Sequence, residues 1–286
     1  MLRVGMTRLT VTNHDRDAAG LTYVYPVVSR RAGGVSIGIN LNPNNACNWR
    51  CVYCQVPELV RGAAPVIDEA RLVTELRGFL GQAQGVKWLA RNVEEPYRRI
   101  VDVAFSGNGE PTTSPQLGSI VEQVLALLAD EGLAGLNKVL ITNGSLMHKP
   151  AVLEAVERLG RAQGEVWFKI DSATAAGRKR INDAASSPEA ARENLRRCAA
   201  VCRTWIQTCV VAIDGAPPSE SEQEAYLRLL AEEVAAGVPI AGVLLYGMAR
   251  PSMQPGAERL SSLPASWVEA YGDKISATGL PVRVRP

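Results

Sequence analysis

The sequence predicts an α/β fold in which parallel strands alternate with helices. Strand-like apolar runs recur six times along the chain, and each is followed by a helical pattern. Strands that alternate with helices pair in parallel through right-handed crossovers, which gives an α/β barrel or an open sheet. The predicted strands are Val35–Leu41, Val101–Gly107, Lys138–Asn143, Val166–Asp171, Trp205–Ala212 and Val243–Met248.

Residues typical of helix N-termini indicate where the intervening helices begin. Ser114-Pro115 opens a helix with an apolar stripe, and Ser187-Pro188 opens another that we expect to reach Arg203. Ser219 and Glu222 have the spacing of a capping box, in which each residue bonds the backbone N–H of the other. These signals place a helix between most of the predicted strands.

Length and composition indicate one soluble domain. The 286 residues are 47% hydrophobic and 21% charged, which is enough material for one large core. We expect a single domain over 1–286, with an N-terminal extension (1–34), a barrel core (35–255) and a C-terminal helix and strand (256–286). The chain has neither a signal peptide pattern nor an apolar run of membrane-spanning length, which predicts a cytoplasmic protein with no membrane partner.

A cysteine triplet follows the first predicted strand. Cys47, Cys51 and Cys54 have the spacing C-x3-C-x2-C, with no fourth cysteine nearby. Thiolates are the usual protein ligands of a four-iron cluster, so three of them leave one iron open to a ligand that is not protein. Two alternatives remain: a zinc site, although structural zinc sites normally have four ligands, or three ordinary loop cysteines.

The triplet resembles the signature of the radical SAM superfamily. In that family a [4Fe-4S] cluster on three cysteines binds S-adenosyl-L-methionine (SAM) through its open iron. The cluster then cleaves SAM reductively to a 5′-deoxyadenosyl radical. The resemblance implies a partial (β/α)6 TIM-like barrel and a reductant such as flavodoxin or ferredoxin. It also implies that the ring of Tyr53 flanks the cluster and the adenosine.

Polar loops follow the later strands, where barrel enzymes carry their chemistry. Gly107-Asn108-Gly109-Glu110 resembles the family's glycine-rich motif, which implies that this loop holds the SAM ammonium group. The usual Gly-Gly-Glu-Pro is here Gly-Asn-Gly-Glu-Pro. Asn143 and Ser172 are weaker candidates for contacts to the ribose.

Lys169 and Asp171 alternate with Phe168 and Ile170 on one strand, so the two charges share a face. If the apolar pair faces the helices, both charges point into the barrel. A structural Lys169–Asp171 pair is one interpretation, because buried charges need partners. The other is catalytic: Lys169 binds a SAM carboxylate or a substrate anion, and Asp171 binds a hydroxyl or transfers a proton.

The remaining cysteines and the arginine clusters have simpler interpretations. Cys198, Cys202 and Cys209 are expected in the core, because the first two are in helical register and the third lies within a strand. Arg178-Lys179-Arg180, in a predicted loop, and Arg30-Arg31 could each bind phosphate or form a solvated basic face.

The sequence predicts the chemistry more sharply than the substrate. A small molecule or peptide is favoured, because a net charge of +2 and 5% aromatic residues make a poor general RNA binder. A tRNA substrate is the alternative, since the segment from Tyr25 to Asn40 is similar to the lead-in of iron–sulfur oxidoreductases related to wyosine-forming enzymes. A zinc- or cluster-binding interaction module without activity is the third hypothesis.

Overall fold

The computed structural model describes residues 9–10, 20–29, 33–83 and 86–286. Within them, one sheet has eight strands in the order β1-β2-β5-β6-β7-β8-β10-β12. These strands are β1 (Val24–Ser29), β2 (Gly34–Ile39), β5 (Ile100–Phe105), β6 (Asn137–Thr142), β7 (Glu165–Lys169), β8 (Arg203–Val210), β10 (Ile240–Gly247) and β12 (Val282–Arg285). Two-stranded pairings join β3 (Ala46–Cys47) to β4 (Val60–Arg61), and β9 (Ala212–Ile213) to β11 (Leu260–Ser261).

The predicted parallel α/β architecture is confirmed. From β2 to β12 every neighbouring pair in the large sheet is parallel, and the sheet curls into a partial barrel. The helices are α1 (Glu69–Ala83), α2 (Val86–Asn92), α3 (Leu117–Asp130), α4 (Pro150–Arg161), α5 (Ala175–Asn182), α6 (Pro188–Val201), α7 (Glu220–Ala235) and α8 (Ala265–Ser276). No helix in the described part of the chain is both long and apolar enough to span a membrane.

The two faces of the sheet have different cores. Alternate strand residues point to opposite faces, so Phe168 and Ile206 pack in the large core that includes residues of the surrounding helices. Trp167 and Trp205 point the other way and form a smaller cluster with Ala104, Val139 and Leu244. This second cluster is the packed interior of the barrel, and it forms the floor beneath the polar residues at the strand ends.

The N-terminal strand β1 pairs antiparallel with β2, and the sequence analysis did not predict it as a strand. Tyr25 lies opposite Gly38, and a Cβ on this glycine would come within 2.1 Å of the Tyr25 ring. The absence of a side chain at Gly38 therefore lets the ring lie flat across β2. Tyr25 also forms a hydrogen bond of 2.9 Å with Ser106, which ties β1 to the end of β5.

The observed helix N-termini match the predicted ones where the capping side chain bonds the backbone of its own helix. Ser187 caps α6 through Ala190 N–H, and Ser219 caps α7 through Glu222 N–H. The capping box at α7 is only half formed, because the Glu222 carboxylate bonds residues of another loop. The helix expected at Ser114-Pro115 begins at Leu117, since a short 3-10 turn at Pro111–Thr113 occupies the approach.

Candidate active site at the carboxyl ends of the strands

The three cysteines of the triplet lie together in the loop between β2 and α1. All three are half-buried, and none forms a disulfide. Burial raises the pKa of Cys47 and of Cys51 to about 12, and the neighbouring cysteines contribute to the rise at Cys47. These two thiols are therefore protonated at neutral pH in the protein without metal, and metal binding to them must release their protons.

Hydrogen-bond donors point at two of these sulfur atoms. The backbone N–H of Trp49 lies 3.5 Å from Cys47 Sγ, and Asn182 Nδ2 lies 3.3 Å from Cys51 Sγ. Hydrogen bonds to sulfur stabilise cluster-bound thiolates and tune the reduction potential of the cluster. Asn182 also has a buried Oδ1 without a partner among the described residues. This donor set fits an iron–sulfur cluster.

The spacing of the thiols bears on the type of metal centre. In the described part of the chain, no three His, Cys, Asp or Glu side chains are grouped closely enough to hold one metal ion. A single zinc ion would need such a group, because all its ligands bind one atom. Cluster cysteines each bind a different iron and lie farther apart. Metal analysis of the purified protein separates the two alternatives.

The glycine-rich loop after β5 packs directly on the cysteine loop. A Cβ on Gly109 would lie 1.9 Å from the carbonyl oxygen of Ala46, and one on Gly107 would lie 2.3 Å from Asn40 Oδ1. Neither position has room for a side chain. Gly109 therefore packs against the backbone of the residue before Cys47, and Gly107 packs against Asn40 just after β2.

Glu110 ends this loop, and protein donors surround its carboxylate. Its Oε1 accepts hydrogen bonds from Thr112 N, Thr112 Oγ1 and Thr142 Oγ1, and its Oε2 accepts one of 2.7 Å from Asn143 N. Burial raises the pKa of Glu110, while these donors oppose the rise. Glu110 therefore joins the loops after β5 and β6, and Oε2 is the oxygen with capacity for a further donor.

Asparagines connect the same loops through their side chains. Asn108 donates to Asn45 Oδ1 over 2.7 Å, and Asn143 donates to Asn48 Oδ1 over 2.7 Å. Asn45 and Asn48 flank Cys47. The loops after β5 and β6 thus position the cysteine loop from two sides.

Lys169 and Asp171 point into the barrel, because Phe168 and Ile170 pack in the core on the helix side. They are linked through Tyr53: Lys169 Nζ donates to the Tyr53 hydroxyl over 2.9 Å, and that hydroxyl donates to Asp171. Lys169 also donates to the Tyr246 hydroxyl over 3.1 Å. Tyr53 therefore connects the cysteine loop to the end of β7 through hydrogen bonds.

The charged groups of this network shift one another's pKa values. Burial alone would lower the pKa of Lys169, but Asp171 and other neighbouring acidic groups outweigh it and raise the pKa. Burial and the Asp171 charge also raise the pKa of Tyr53. Asp171 accepts further hydrogen bonds from Asn182 Nδ2 over 2.6 Å and from Cys209 N over 2.8 Å. Lys169 is thus a cation and Tyr53 a neutral phenol at physiological pH.

Ser172 is engaged outside the barrel. Its hydroxyl donates to Glu222 Oε2 over 2.6 Å and accepts from Thr174 N over 3.1 Å. Beyond β7 and β8, a cavity of about 140 Å³ has Asp171, Ser172 and Cys209 among its lining residues. Ser172 therefore borders the candidate site from the side of α7.

Cys198 lies in the helix-covered core, as its helical register predicts. Cys202 lies in the same core, but α6 ends at Val201 and Cys202 is its extended C-cap, which corrects the expected helix end at Arg203. Cys209 is buried as well, but strand alternation places it on the interior face of β8 with Trp205. Local sequence does not indicate which face of this strand is interior, since both faces carry buried residues. Cys209 is therefore a buried residue of the barrel interior, close to the candidate site.

The basic segment Arg178-Lys179-Arg180 is part of α5, which corrects the prediction of a loop. Arg178 is 2% exposed and stacks over the ring of Trp49. Lys179 pairs with Asp183. Only Arg180 of the three extends toward the cavity. The segment is therefore not a continuous cationic surface. Arg30-Arg31 lies outside the described residues.

Sequence reasoning missed Asn182 and Gln207. Asn182 reaches Cys51 from a helix far along the chain, and no local pattern marks that contact. Gln207 is a polar residue inside a strong strand pattern and is 1% exposed. A buried glutamine in a strand was the available signal, since such residues need a partner.

Comparison with known proteins agrees with this geometry. Residues 41–230 match the sequence model of the Radical SAM superfamily. The chain belongs to that superfamily. The matched segment begins before the cysteine triplet and includes nearly every site residue described above. Membership implies an enzyme that uses SAM and an iron–sulfur cluster.

Curated relatives are similar over part of the chain. A UPF0026 protein of Helicobacter pylori is 30% identical over 134 residues, which is 46% of this chain and 38% of the relative. A UPF0026 protein of Methanocaldococcus jannaschii is 30% identical over 148 residues, or 51% of this chain and 39% of the relative. The similarity thus spans less than half the length of either relative.

A solved structure shares the fold. "Structure of TYW1 with a lysine-pyruvate adduct bound" superposes with a TM-score of 0.57 at 14% sequence identity, covering 87% of this chain and 74% of that chain. At this identity the likeness establishes the fold alone. It confirms the predicted partial TIM-like barrel.

Proposed function

We propose that the protein is a radical SAM enzyme that abstracts a hydrogen atom from a small-molecule or peptide substrate. The observation that carries this proposal is the close contact of Gly109, which has no room for a side chain, with Ala46 directly before Cys47. When bound, a [4Fe-4S] cluster and SAM together supply reductive cleavage of SAM and the 5′-deoxyadenosyl radical. Cys47, Cys51 and Cys54 would hold the cluster.

The loops around the cysteines hold and orient SAM in this proposal. The backbone at Gly107, Asn108 and Gly109 approaches the ammonium group, and Glu110 Oε2 can accept one of its protons in a hydrogen bond. Because Glu110 already has protein donors at both oxygens, its first role is to fix the loop. Asn143 and Ser172 border the site where a ribose would lie.

The Lys169–Tyr53–Asp171 network places polar and charged groups in the barrel interior. Lys169 offers an ammonium group to an anion, while Tyr53 and Asn182 hold Asp171 in place. The Tyr53 ring is proposed to flank the cluster and the adenosine. Trp167 and Trp205 close the floor below Lys169, which keeps water away from a reactive radical.

Two observations favour a small substrate or peptide over tRNA. The polar interior lies within the barrel on a packed floor, and the basic segment on α5 is mostly engaged in internal contacts. The alternative is a tRNA-modifying enzyme, which the shared fold with TYW1 keeps as the second candidate. The TYW1 structure holds a lysine-pyruvate adduct, so assays should include a pyruvate-derived substrate. A flavodoxin or ferredoxin in the cytoplasm is the proposed reductant.

Anaerobic reconstitution tests the proposal. We expect about four iron and four sulfide ions per chain and reductive formation of 5′-deoxyadenosine from SAM. Cys47→Ala should abolish both, while Cys198→Ala is the matched control that should retain both. A stable protein with one zinc ion and no SAM cleavage would favour the non-enzymatic interaction module instead.

A further inference from the structure

The interior face of β8 has buried hydrogen-bond donors that lack an acceptor. Gln207 is 1% exposed, and its Nε2 has no partner among the described residues. Trp205, two residues earlier on the same face, has an unpartnered Nε1 and is 3% exposed. Buried donors in native proteins are nearly always paired, so an unpaired one points to a missing ligand.

Gln207 has a cation as its cross-strand neighbour. Lys169 on β7 is its register partner, so their Cβ atoms lie about 5 Å apart on the same face. The ammonium group has three donors, and two of them bond the hydroxyls of Tyr53 and Tyr246. Within the described residues Lys169 forms no direct ion pair, so one N–H of its ammonium group remains for a ligand.

The nearest carboxylate does not meet this need. Asp171 lies two residues beyond Lys169, the last residue of β7, and its oxygens accept from Tyr53, Asn182 and the backbone of Cys209. Its contact with Lys169 runs through the Tyr53 hydroxyl. Asp171 therefore balances the charge of Lys169 at a distance. It accepts no hydrogen bond from Gln207 Nε2 or from the third N–H of the Lys169 ammonium group.

We propose that Lys169 and Gln207 together bind a carboxylate group of the substrate inside the barrel. This inference rests on the proposed function and adds the substrate class: a molecule with a carboxylate at the end that enters first. One oxygen accepts from the Lys169 ammonium group and the other from the Gln207 amide. A carboxylate has two acceptor oxygens in one plane, which suits donors on adjacent strands.

Binding of propionate tests the pair on the reconstituted protein. Propionamide has the same shape without the charge, and saturable quenching of the intrinsic tryptophan fluorescence, to which Trp167 and Trp205 in the floor contribute, reports occupancy. We expect propionate to bind in the millimolar range and propionamide at least about tenfold more weakly, since a charge-assisted bond is roughly twice as strong as a neutral one. Gln207→Leu and Lys169→Met should each weaken propionate binding at least about tenfold.

Stability provides a second measurement that a structural role would not reproduce. Gln207→Leu removes an unsatisfied donor, so the Tm should be unchanged or higher by about 2–4 °C. Gln116→Leu is the matched control: this glutamine bonds both backbone groups of Ile67, away from the barrel interior. The control should lower the Tm and leave propionate binding unchanged.

Several outcomes would overturn the inference. If the wild-type protein shows no saturable propionate binding, or if Gln207→Leu weakens SAM binding rather than propionate binding, the pair does not bind a substrate carboxylate. Lower stability of Gln207→Leu would indicate a structural amide. Iron content and SAM cleavage, measured on the same samples, separate this failure from a failure of the proposed function.

Discussion

Glu110 connects two loops through a single carboxylate, so its substitution should lower the free energy of unfolding. A backbone N–H donates to each oxygen, from Thr112 to Oε1 and from Asn143 to Oε2. In Glu110→Gln the amide can accept at only one of them, so one buried N–H loses its acceptor. We expect the free energy of unfolding to fall by about 1–3 kcal/mol, measured by urea denaturation. Affinity for SAM should fall as well.

Glu122→Gln is the control for this change. Glu122 is exposed and pairs with Arg158 on the outer surface, so its substitution should alter the free energy of unfolding by less than about 1 kcal/mol. Equal stability of Glu110→Gln and the wild type would show that the carboxylate does not fix the loops. Unchanged SAM affinity in a destabilised Glu110→Gln protein would remove Glu110 from the SAM site.

Asp183 gives the stability a pH dependence. A hydrogen bond from Lys179 and the charge of Arg61 hold its pKa below the usual 3.8. A lowered carboxyl pKa stabilises the folded state above the unfolded pKa, and this stabilisation is lost as the pH falls through the folded pKa. Asp183→Asn should therefore lower the Tm by about 1–3 °C at pH 7, and this difference should shrink as the pH falls through the lowered folded pKa.

Asparagine suits this position because Asp183 has a left-handed backbone with φ of 48°, which asparagine tolerates. Asp130→Asn is the control, since Asp130 lies 3.9 Å from Arg77 and is 70% exposed. The hypothesis fails if the Tm difference between wild type and Asp183→Asn stays constant as the pH is lowered from 7 through the whole acid transition of the carboxyl group.

The predictability of individual residues depended on the range of their contacts. Strand alternation placed Lys169 and Asp171 on one face from local sequence alone. The contact of Asn182 with Cys51 joins residues 131 positions apart, and the link from Lys169 to Tyr53 joins residues 116 positions apart. No periodicity encodes such contacts, because they depend on which loops the barrel brings together.

At the scale of elements, the cysteines outside the triplet lie in α6, at its C-cap and in β8. Cys198 and Cys202 are buried in the core on the helix side, where a cysteine packs as a small hydrophobe. The double variant Cys198→Ala, Cys202→Ala should leave iron content and the cluster spectrum unchanged. We expect it to lower the free energy of unfolding by roughly 1–3 kcal/mol, because it leaves small cavities.

Cys209→Ala tests the remaining thiol separately, because Cys209 faces the barrel interior. We expect its iron content to equal that of the wild type, since no other cysteine of the chain shares its strand. Iron reduced by about half in either variant would demonstrate a second cluster. Cys51→Ala, which removes a proposed ligand, is the positive control for iron loss.

Helix boundaries show where element prediction succeeds and where it fails. The cap of α6 is formed by Ser187 and its own helix, so local sequence determines it. At α7 the Glu222 side chain instead bonds Ser172 and Thr174 near the end of β7. Tertiary contacts thereby replaced the second half of the capping box. The same contacts join α7 to the loop that borders the candidate site.

At the scale of the whole molecule, alternation of strands and helices predicted the parallel sheet, and the resemblance to the radical SAM superfamily implied its curl into a partial barrel. The order of the strands follows from right-handed crossovers between neighbours. The antiparallel strand β1 was not predicted, because its pairing depends on Tyr25 crossing Gly38. That contact forms only once β2 is in the sheet. The position of the site at the carboxyl ends of the strands followed directly from the fold.

The charge distribution of the whole protein leads to a prediction about tRNA. The chain has 31 basic and 29 acidic residues, and Arg178 is buried against Trp49. We therefore expect negligible binding of bulk tRNA at physiological salt in filter-binding titrations. Lys179→Gln with Arg180→Gln should change nothing, because a protein without phosphate contacts has no counterions to release.

The salt dependence decides between the two substrate classes. Micromolar or tighter binding of tRNA that weakens steeply with salt would establish an RNA partner. In that case the double variant should flatten the slope of log K against log salt by about 0.7–0.9 for each phosphate that it no longer neutralises. Arg178 is left unchanged in this variant because its removal would leave the ring of Trp49 uncovered beside the cysteine loop. Weaker tRNA binding by the variant then reports on surface charge alone. Iron content equal to that of the wild type, measured on the same protein, shows that the cysteine loop is intact.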